Sequence, residues 1–198
     1  MKQSSGQLFD RRGSRKYLTQ QERALIEKTV GKFPREIRTF IGVLLYTGCR
    51  ISEALALNAD HVDLDEGMII FESLKKREKG IYRAVPVPPK LLDTLDLVHS
   101  IRTTREGRSR KNKVRLWKWS RTTAWRKVKD VLDAAGVEQS TKMSPKAFRH
   151  GFGVCAVTAG IPLNLVQRWL GHAQLTTTAI YADAVGAEEK KIAQRMWG

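Results

Sequence analysis

Ser144-Pro-Lys-Ala-Phe-Arg-His150 is the stretch on which the rest of the sequence depends, and Leu170-Gly-His172 and Thr176-Thr-Thr-Ala-Ile-Tyr181 follow it. Lys146 and Arg149 are three residues apart near a predicted helix start, so they point the same way. The helix N-terminus adds a partial positive charge there. Two cations aimed together repel each other unless an anion lies between them or solvent screens them. A Lys, an Arg, a His and then one Tyr indicate a site that binds a phosphodiester and attacks it with a phenol.

Short helices are predicted around these stretches. Ser144-Pro145 opens a helix that runs to about Ala159, since proline is favoured in the first turn. Gly160-Ile-Pro162 breaks it. A second helix over 163–170 ends at Gly171, a third carries Tyr181, and a last amphipathic helix covers 188–197.

The first half of the chain is predicted to be helical as well. Thr19 with Glu22 three positions later fits a capping box at the start of a helix. Apolar residues at helical spacing predict a second helix from about Arg35 to Thr47, and Gly48 can end it in a left-handed conformation. Arg50 then opens a third, short helix.

From Val62 onward the pattern changes to strands. Residues 62–67 are predicted as a turn, and apolar and β-branched content predicts a strand over 68–74. A charged hairpin tip leads to a second strand from Tyr82, and a helix follows over 90–100. We therefore predict a mainly α fold with one small antiparallel β-sheet (α+β).

Residues 101–129 are the most basic part of the chain, with twelve cations against Glu106 alone. The part up to Lys113 is predicted as an exposed loop, and Ser120 or Thr122 caps a helix to about Ala135. This region contains Trp117, Trp119 and Trp125. We favour core packing over base stacking for these side chains, because Trp125 shares a helical face with the apolar Val128, Val131 and Leu132. Phosphate contact is the better explanation of so many cations. The candidate DNA-binding residues are Arg108, Arg110, Lys111, Lys113, Arg115, Lys118 and Arg121.

Composition limits the classes of protein that fit. A net charge of +16 over 198 residues favours an anionic partner, with nucleic acid first and a basic ribosomal-type or merely soluble protein as the alternative. Cys49 and Cys155 suggest neither a disulfide framework nor a metal site. No signal peptide or membrane-spanning run is present in the sequence, so we expect a cytoplasmic protein of bacterial or phage origin. Residues 1–16 are predicted to be a flexible basic arm.

Arg50 follows Thr47-Gly-Cys49 and lies among apolar segments. A charge in such a context needs a partner, and Glu53 is the nearest candidate. A purely structural Arg50–Glu53 pair would explain both residues equally well at this point.

Four stretches together resemble the tyrosine recombinase (phage integrase) family from about Tyr17 to the end of the chain. Residues 47–55, Thr-Gly-Cys-Arg-Ile-Ser-Glu-Ala-Leu, are similar to its first-arginine box, and residues 144–152 to its second. Leu170-Gly-His172, with Tyr181 nine residues after the histidine, is similar to its C-terminal box. The lysine-bearing hairpin lies where the family keeps a catalytic lysine. The resemblance implies the catalytic-domain fold of that family over residues 17–198.

The resemblance implies a role for each residue that matches a box. Arg50 and Arg149 would bind the non-bridging oxygens of the scissile phosphate. Tyr181 would attack phosphorus and form a 3′-phosphotyrosyl link. A hairpin lysine would protonate the leaving 5′-oxygen; Lys75 is the first choice and Lys76 the second.

The resemblance also implies roles for the remaining residues of the site. His172 would hydrogen-bond the phosphate, and Lys146 would be a catalytic residue, at a position where many members have histidine and others have lysine. Glu53 would hold Arg50 in place. His150 would be a packing or supporting residue.

The implied activity is site-specific recombination of double-stranded DNA by a self-assembled tetramer, without cofactor, metal or small-molecule substrate. Two alternatives stay open: a DNA-binding relative that does not cut, and a DNA-relaxing enzyme like the type IB topoisomerases. The N-terminal core-binding domain of the family is not found in the sequence, so we expect either an excised catalytic domain or a naturally short member. Helix 188–197 is expected to cap its own core or to dock on a neighbouring subunit.

Overall fold

The computed structural model describes residues 8–72, 80–106, 114–138 and 142–182, together with residues 190, 193, 194 and 197. Nine α-helices and three short strands form in this part of the chain, which confirms the predicted α+β class. In chain order they are α1 (Gln20–Thr29), α2 (Arg35–Thr47), α3 (Ile51–Leu55), β1 (Val62–Asp63), β2 (Met68–Glu72), β3 (Tyr82–Pro86), α4 (Pro89–His99), α5 (Ile101–Glu106), α6 (Arg121–Ala134), α7 (Pro145–Thr158), α8 (Leu163–Leu170) and α9 (Thr176–Ala179).

Helix α1 begins as the sequence predicts, and helix α2 both begins and ends as predicted. The Thr19 hydroxyl accepts from the Glu22 amide at 3.2 Å, and the Glu22 carboxylate accepts from the Thr19 amide at 2.8 Å. This is the predicted capping box. Helix α2 ends at Gly48, whose φ of 60° is left-handed. Helix α2 is the central element of the core, because α4, α7 and α3 all pack on it.

The sheet is antiparallel in the order β1-β2-β3. Ile69 pairs with Val85 and Phe71 with Arg83 across β2 and β3. Ile69, Phe71 and Val85 are buried, so this face of the sheet packs on the core. The prediction of a simple turn over 62–67 was incomplete, since Val62 is buried and pairs with Ile69 to form β1.

The prediction of an exposed loop from residue 101 to Lys113 was wrong in its first part. Residues 101–106 form α5. Ile101 is fully buried and anchors this helix in the core, although the residues that follow it are polar. Residues 107–113 lie outside the described residues.

The three tryptophans have different environments. Trp117 is buried and donates to the Glu36 carbonyl at 2.9 Å, and Trp119 packs edge-on against Phe40. Core packing is correct for these two. It was wrong for Trp125, which is 41% exposed and carries the Lys129 ammonium 6.0 Å from its ring centre.

The N-terminal arm was predicted too long. Leu8 is 3% exposed, and Phe9 pairs with Arg15 in an isolated bridge. Leu8 joins a small apolar cluster that contains Tyr17 and Tyr181. Ordered backbone therefore begins before Tyr17, while residues 1–7 lie outside the described residues.

Helix α8 has the predicted bounds and ends at Gly171, whose φ is 68°. Helix α9 is shorter than predicted: it covers Thr176–Ala179, and Tyr181 follows in a turn. Most of the predicted helix 188–197 lies outside the described residues. None of the described helices is long and apolar enough to cross a membrane.

Candidate active site

The site begins where α2 ends and α3 starts. Gly48 lies so close to the end of α8 and to α7 that a Cβ atom there would come within 2.9 Å of Leu170 and 2.8 Å of Phe152. Only glycine combines this tight approach with a left-handed φ. The turn carries Arg50, the residue that caps α3, to the junction of α3, α7 and α8.

Glu53 fixes Arg50 from inside α3. Its carboxylate accepts from the Arg50 amide at 2.8 Å and from the Arg50 guanidinium at 2.7 Å. Burial alone would raise the pKa of Glu53, but the hydrogen bonds and charges of Arg83 and Arg50 lower it. The carboxylate is therefore ionised, and the predicted Arg50–Glu53 pair forms. The Arg50 side chain is still 27% exposed, while that of Glu53 is 2% exposed.

Arg149 comes from α7 and is held by main-chain carbonyls. Its Nη1 donates to the Gly48 carbonyl at 3.0 Å and its Nη2 to the Leu170 carbonyl at 2.7 Å. Burial, with Arg50 nearby, lowers the pKa of Arg149 to about 10. The guanidinium remains a cation at neutral pH. Arg50 and Arg149, predicted from boxes about a hundred residues apart, thus meet at one turn.

His172 lies just beyond the end of α8. Its Nδ1 is 2.8 Å from the Thr178 hydroxyl, and its ring is stacked on that of Tyr181 with a centroid distance of 6.2 Å. Burial and then the charges of Arg149 and Arg50 lower the pKa of His172 to about 3. The imidazole is therefore neutral at physiological pH.

Tyr181 is 1% exposed. Its hydroxyl lies 3.3 Å from His150 Nδ1, and its ring covers Gly153, where a Cβ atom would come within 2.5 Å of the ring. Burial raises the pKa of Tyr181, although Arg149 and Arg50 act in the opposite direction. A phenol so enclosed cannot touch a phosphate on DNA without moving first.

His150 has a more direct place than predicted. We expected packing or support, and the structure gives it the hydroxyl of Tyr181 as a neighbour at 3.3 Å. Burial, followed by the charges of Arg149 and Lys146, lowers the pKa of His150 to about 4. The neutral ring can accept a hydrogen bond from the phenol.

The remaining predicted residues are not brought into this constellation by any described contact. Lys146 is exposed in the first turn of α7, one turn before His150. Arg115, Lys118 and Arg121 are exposed on the segment that leads into α6. The other predicted cations lie outside the described residues: Lys75, Lys76, Arg108, Arg110, Lys111 and Lys113.

Arg83 is a residue of this site that sequence reasoning missed. It donates to both oxygens of Glu53, through Nη2 at 2.7 Å and Nη1 at 3.3 Å. A signal was available: alternation along β3 places residue 83 on the same face as the apolar Val85. A cation on the apolar face of a strand requires a buried partner.

Solved structures of similar fold define the architecture of the chain. The XerH site-specific recombinase bound to its difH substrate in a pre-cleavage complex aligns with a TM-score of 0.72 and 21% identity, over 96% of this chain and 60% of that one. The catalytic domain of bacteriophage HP1 integrase aligns with a TM-score of 0.64 and 19% identity, over 90% of this chain and 93% of that one. The fold is that of the tyrosine recombinase catalytic domains.

The sequence comparisons define the family. The model of the phage integrase family matches residues 16–187. The tyrosine recombinase XerA of Pyrococcus furiosus is 32% identical over 189 residues, which cover 91% of this chain and 61% of that protein. The chain thus spans about three-fifths of this relative's length. The chain belongs to the phage integrase family, as the four matching stretches imply.

Proposed function

We propose that this chain is a site-specific DNA recombinase that cuts and rejoins DNA through a covalent 3′-phosphotyrosine. One observation carries the proposal: Arg50 and Arg149 meet at the Gly48 turn, beside His172 and Tyr181. Two guanidinium groups held within one site suit the two non-bridging oxygens of a phosphodiester. Membership of the phage integrase family and similarity to the tyrosine recombinase XerA support the same activity.

The chemistry proposed for this site needs only the groups that the chain supplies. The Tyr181 oxygen forms a bond to phosphorus while its phenol proton passes to neutral His150 Nδ1, and the bond from phosphorus to the 5′-oxygen breaks. A hairpin lysine, Lys75 before Lys76, gives the 5′-oxygen a proton. Arg50 and Arg149 stabilise the charge that develops on the phosphorane. Because the phosphotyrosyl ester keeps the bond energy, attack by a 5′-hydroxyl restores the DNA.

Neutral His172 fits the role of a hydrogen-bond donor to the phosphate. Its Nδ1 faces Thr178, so Nε2 is the nitrogen left for the substrate. The depressed pKa keeps the ring uncharged, and we propose that Nε2–H donates to a phosphate oxygen. We propose that Lys146, which is exposed on α7 and whose charge acts on His150, adds positive charge near the bound phosphate.

A covalent-trapping experiment tests the proposed activity. Nicked duplexes with randomised sequence, which lose a short fragment after cleavage and so cannot be rejoined, are incubated with the protein. DNA that stays bound to denatured protein is recovered and sequenced. We expect the wild-type protein to retain DNA with a common sequence, and Tyr181→Phe to retain none. Equal retention by both proteins would overturn the assignment of Tyr181.

A DNA-binding protein that does not cut is the second candidate, and the enclosure of Tyr181 favours it. The two candidates differ in one measurement. A DNA-binding protein that does not cut would shift DNA in a native gel and form no covalent adduct with any duplex of the randomised pool. Relaxation of supercoiled plasmid without recombinant products would instead indicate a topoisomerase-like enzyme.

We propose that the partner is double-stranded DNA and that the active assembly is a tetramer on DNA. The exposed cations Arg115, Lys118 and Arg121 are candidate phosphate contacts. Each alanine substitution of these should weaken binding and reduce the salt dependence of log K by about 1. Deleting residues 188–198 should impair pairing of two DNA sites more than binding to one; loss of folding in the truncated chain would instead make this segment a cap on its own core.

A further inference from the structure

Arg83 is nearly enclosed, and its guanidinium joins three parts of the chain. Its side chain is 7% exposed. Nη2 donates to Glu53 at 2.7 Å, and Nε donates to the Trp169 carbonyl at 2.8 Å. The guanidinium also lies over the Phe71 ring, 4.9 Å from its centre. Strand β3, helix α3 and helix α8 therefore meet at one planar group.

The contact with Glu53 affects Arg50. Without Arg83, the Glu53 carboxylate would be held from the Arg50 side alone, by the amide and the guanidinium of that residue, and both side chains could shift together. Here Arg50 binds one oxygen of Glu53 at 2.7 Å and Arg83 binds the other at 2.7 Å. Two cations on opposite oxygens fix the plane of the carboxylate. The Arg50 side chain, 27% exposed, stays open to a ligand while the enclosed Arg83 does not.

The contact with Trp169 affects Arg149. The carbonyls of Trp169 and Leu170 are consecutive at the end of α8, where no helical amide remains to bind them. Arg83 takes the first at 2.8 Å and Arg149 the second at 2.7 Å. A Cβ atom on Gly171 would lie 3.2 Å from Arg83, so the helix end is packed directly on this side chain.

We propose that Arg83 is a positioning residue for the strand cleavage proposed above: it fixes the distance between Arg50 and Arg149 so that both reach one phosphate. This inference rests on the proposed function. Arg83 touches no substrate. It acts through Glu53 on Arg50, and through the end of α8 on the carbonyl that binds Arg149. A misplacement of about 1 Å in such a pair can lower a rate about 100-fold.

The test compares Arg83→Met with wild type on two forms of a nicked duplex recovered from the trapping pool. One form carries the normal scissile phosphodiester. The other carries a methylphosphonate there, which replaces a charged non-bridging oxygen with a methyl group. A phosphate clamp matters less for the uncharged group. We expect Arg83→Met to form adduct about 100-fold more slowly on the phosphodiester and within about 5-fold of wild type on the methylphosphonate.

Affinity and fold are measured alongside the rates. The dissociation constant for the uncleaved phosphodiester duplex should change by no more than about 3-fold, because Arg83 does not contact DNA. Arg38→Met is the matched control: Arg38 is exposed near the start of α2, outside the basic stretch 101–129, and donates to the Phe33 carbonyl at 2.7 Å. It should cleave both duplexes as wild type does.

Arg83→Lys keeps the charge but cannot span both oxygens of Glu53 and the Trp169 carbonyl with a planar fork. We expect a rate between those of wild type and Arg83→Met. Equal slowing of Arg83→Met on both duplexes, or an unchanged rate on the phosphodiester, would overturn the proposal. So would the failure of both variants to fold, since Arg83 would then be a folding residue. Absence of adduct with wild-type protein would instead count against the proposed function itself.

Discussion

The packing of Tyr181 depends on the absence of a side chain at Gly153. The aromatic ring occupies the space that any other residue at 153 would fill. The hydroxyl at its end faces His150, and the ring plane lies along His172. The proposed nucleophile is therefore packed as a core residue in this conformation.

Gly153→Ala should displace the ring of Tyr181, because its methyl group would come within 2.6 Å of three ring atoms. Overpacking of this kind typically costs about 1–3 kcal/mol. Once displaced, the phenol should lose the burial that raises its pKa and titrate nearer the ordinary value of about 10. Ultraviolet titration of tyrosinate, with Tyr181→Phe subtracted, measures this change.

Gly151→Ala provides the comparison for that titration. Residue 151 lies on the same helix, but its added methyl would meet the Leu18 carbonyl at 2.7 Å and not Tyr181. This variant should be destabilised while its Tyr181 titrates as in wild type. If Gly153→Ala leaves the titration unchanged, the ring is not held by this contact.

At the scale of elements, the helix ends build the site. The turn after α2 supplies a carbonyl to Arg149, and the end of α8 supplies another. Both helices end at left-handed glycines, Gly48 and Gly171. The sequence predicted both ends, because a glycine after an apolar helical stretch is a recognisable stop.

Gly48→Ala and Gly67→Ala should differ sharply in stability. Both glycines have positive φ, 60° and 72°, so alanine strains the backbone at each. A Cβ atom at 67 meets nothing within 4 Å, whereas one at 48 clashes with Phe152 and Leu170. We expect a loss of about 1 kcal/mol in the free energy of unfolding at 67 and at least about 2 kcal/mol more at 48.

Denaturant unfolding of the two variants measures the difference, and adduct formation gives a second readout. Gly48→Ala should also lose cleavage, because its carbonyl is an acceptor for Arg149. Gly67→Ala should cleave normally. Equal losses of stability would show that the chain relaxes around residue 48 without cost.

Other elements could not be predicted from local patterns. Helix α5 has one core residue, Ile101, among polar neighbours, so neither strand nor helix periodicity marks it. Trp125 shares a helical face with Val128 and yet is exposed, so helical spacing alone does not predict its environment. The pairing of Arg83 with Glu53 joins residues 30 positions apart and depends on the tertiary fold.

At the scale of the molecule, all four histidines couple stability to pH, because burial lowers the pKa of each. Burial lowers the pKa of His99 and His150 to about 4, and that of His172 to about 3. The unfolded chain binds protons near the ordinary value of 6.5 and the folded chain does not. Stability is therefore complete above that value and falls as pH decreases toward about 4.

His99→Gln should make this decline shallower without affecting the site. His99 lies 2.9 Å from the Thr39 hydroxyl and against Trp117, away from Arg149 and Tyr181. Between the folded-state pKa of about 4 and the ordinary value of 6.5, each such histidine changes the free energy of unfolding by up to about 1.4 kcal/mol per pH unit. Free energies of unfolding at about pH 7 and about pH 5 give the slope. Parallel lines for wild type and variant would show that His99 already binds a proton in the folded state.

The order of the predicted elements and the residues of the boxes were accessible from sequence because each is marked locally. Thr19 indicates the start of a helix and Gly48 indicates the end of one, and Tyr181 lies in a short stretch that resembles a family box. The enclosure of Tyr181 was not accessible, since it depends on Leu8, Gly153 and Leu170 packing together. Local sequence patterns therefore predict which residues belong to the candidate active site, whereas tertiary packing determines whether a substrate can reach them.

The enclosure of Glu53 between Arg50 and Arg83 has a practical consequence in concentrated salt. Mobile ions weaken contacts between surface cations and DNA phosphates. They act little on a pair whose side chains are 7% and 2% exposed. A high salt concentration should therefore dissociate bound DNA from the protein while the contacts among Arg50, Glu53 and Arg83 remain intact. Protein eluted in this way should cut again as soon as it is diluted, without a refolding step.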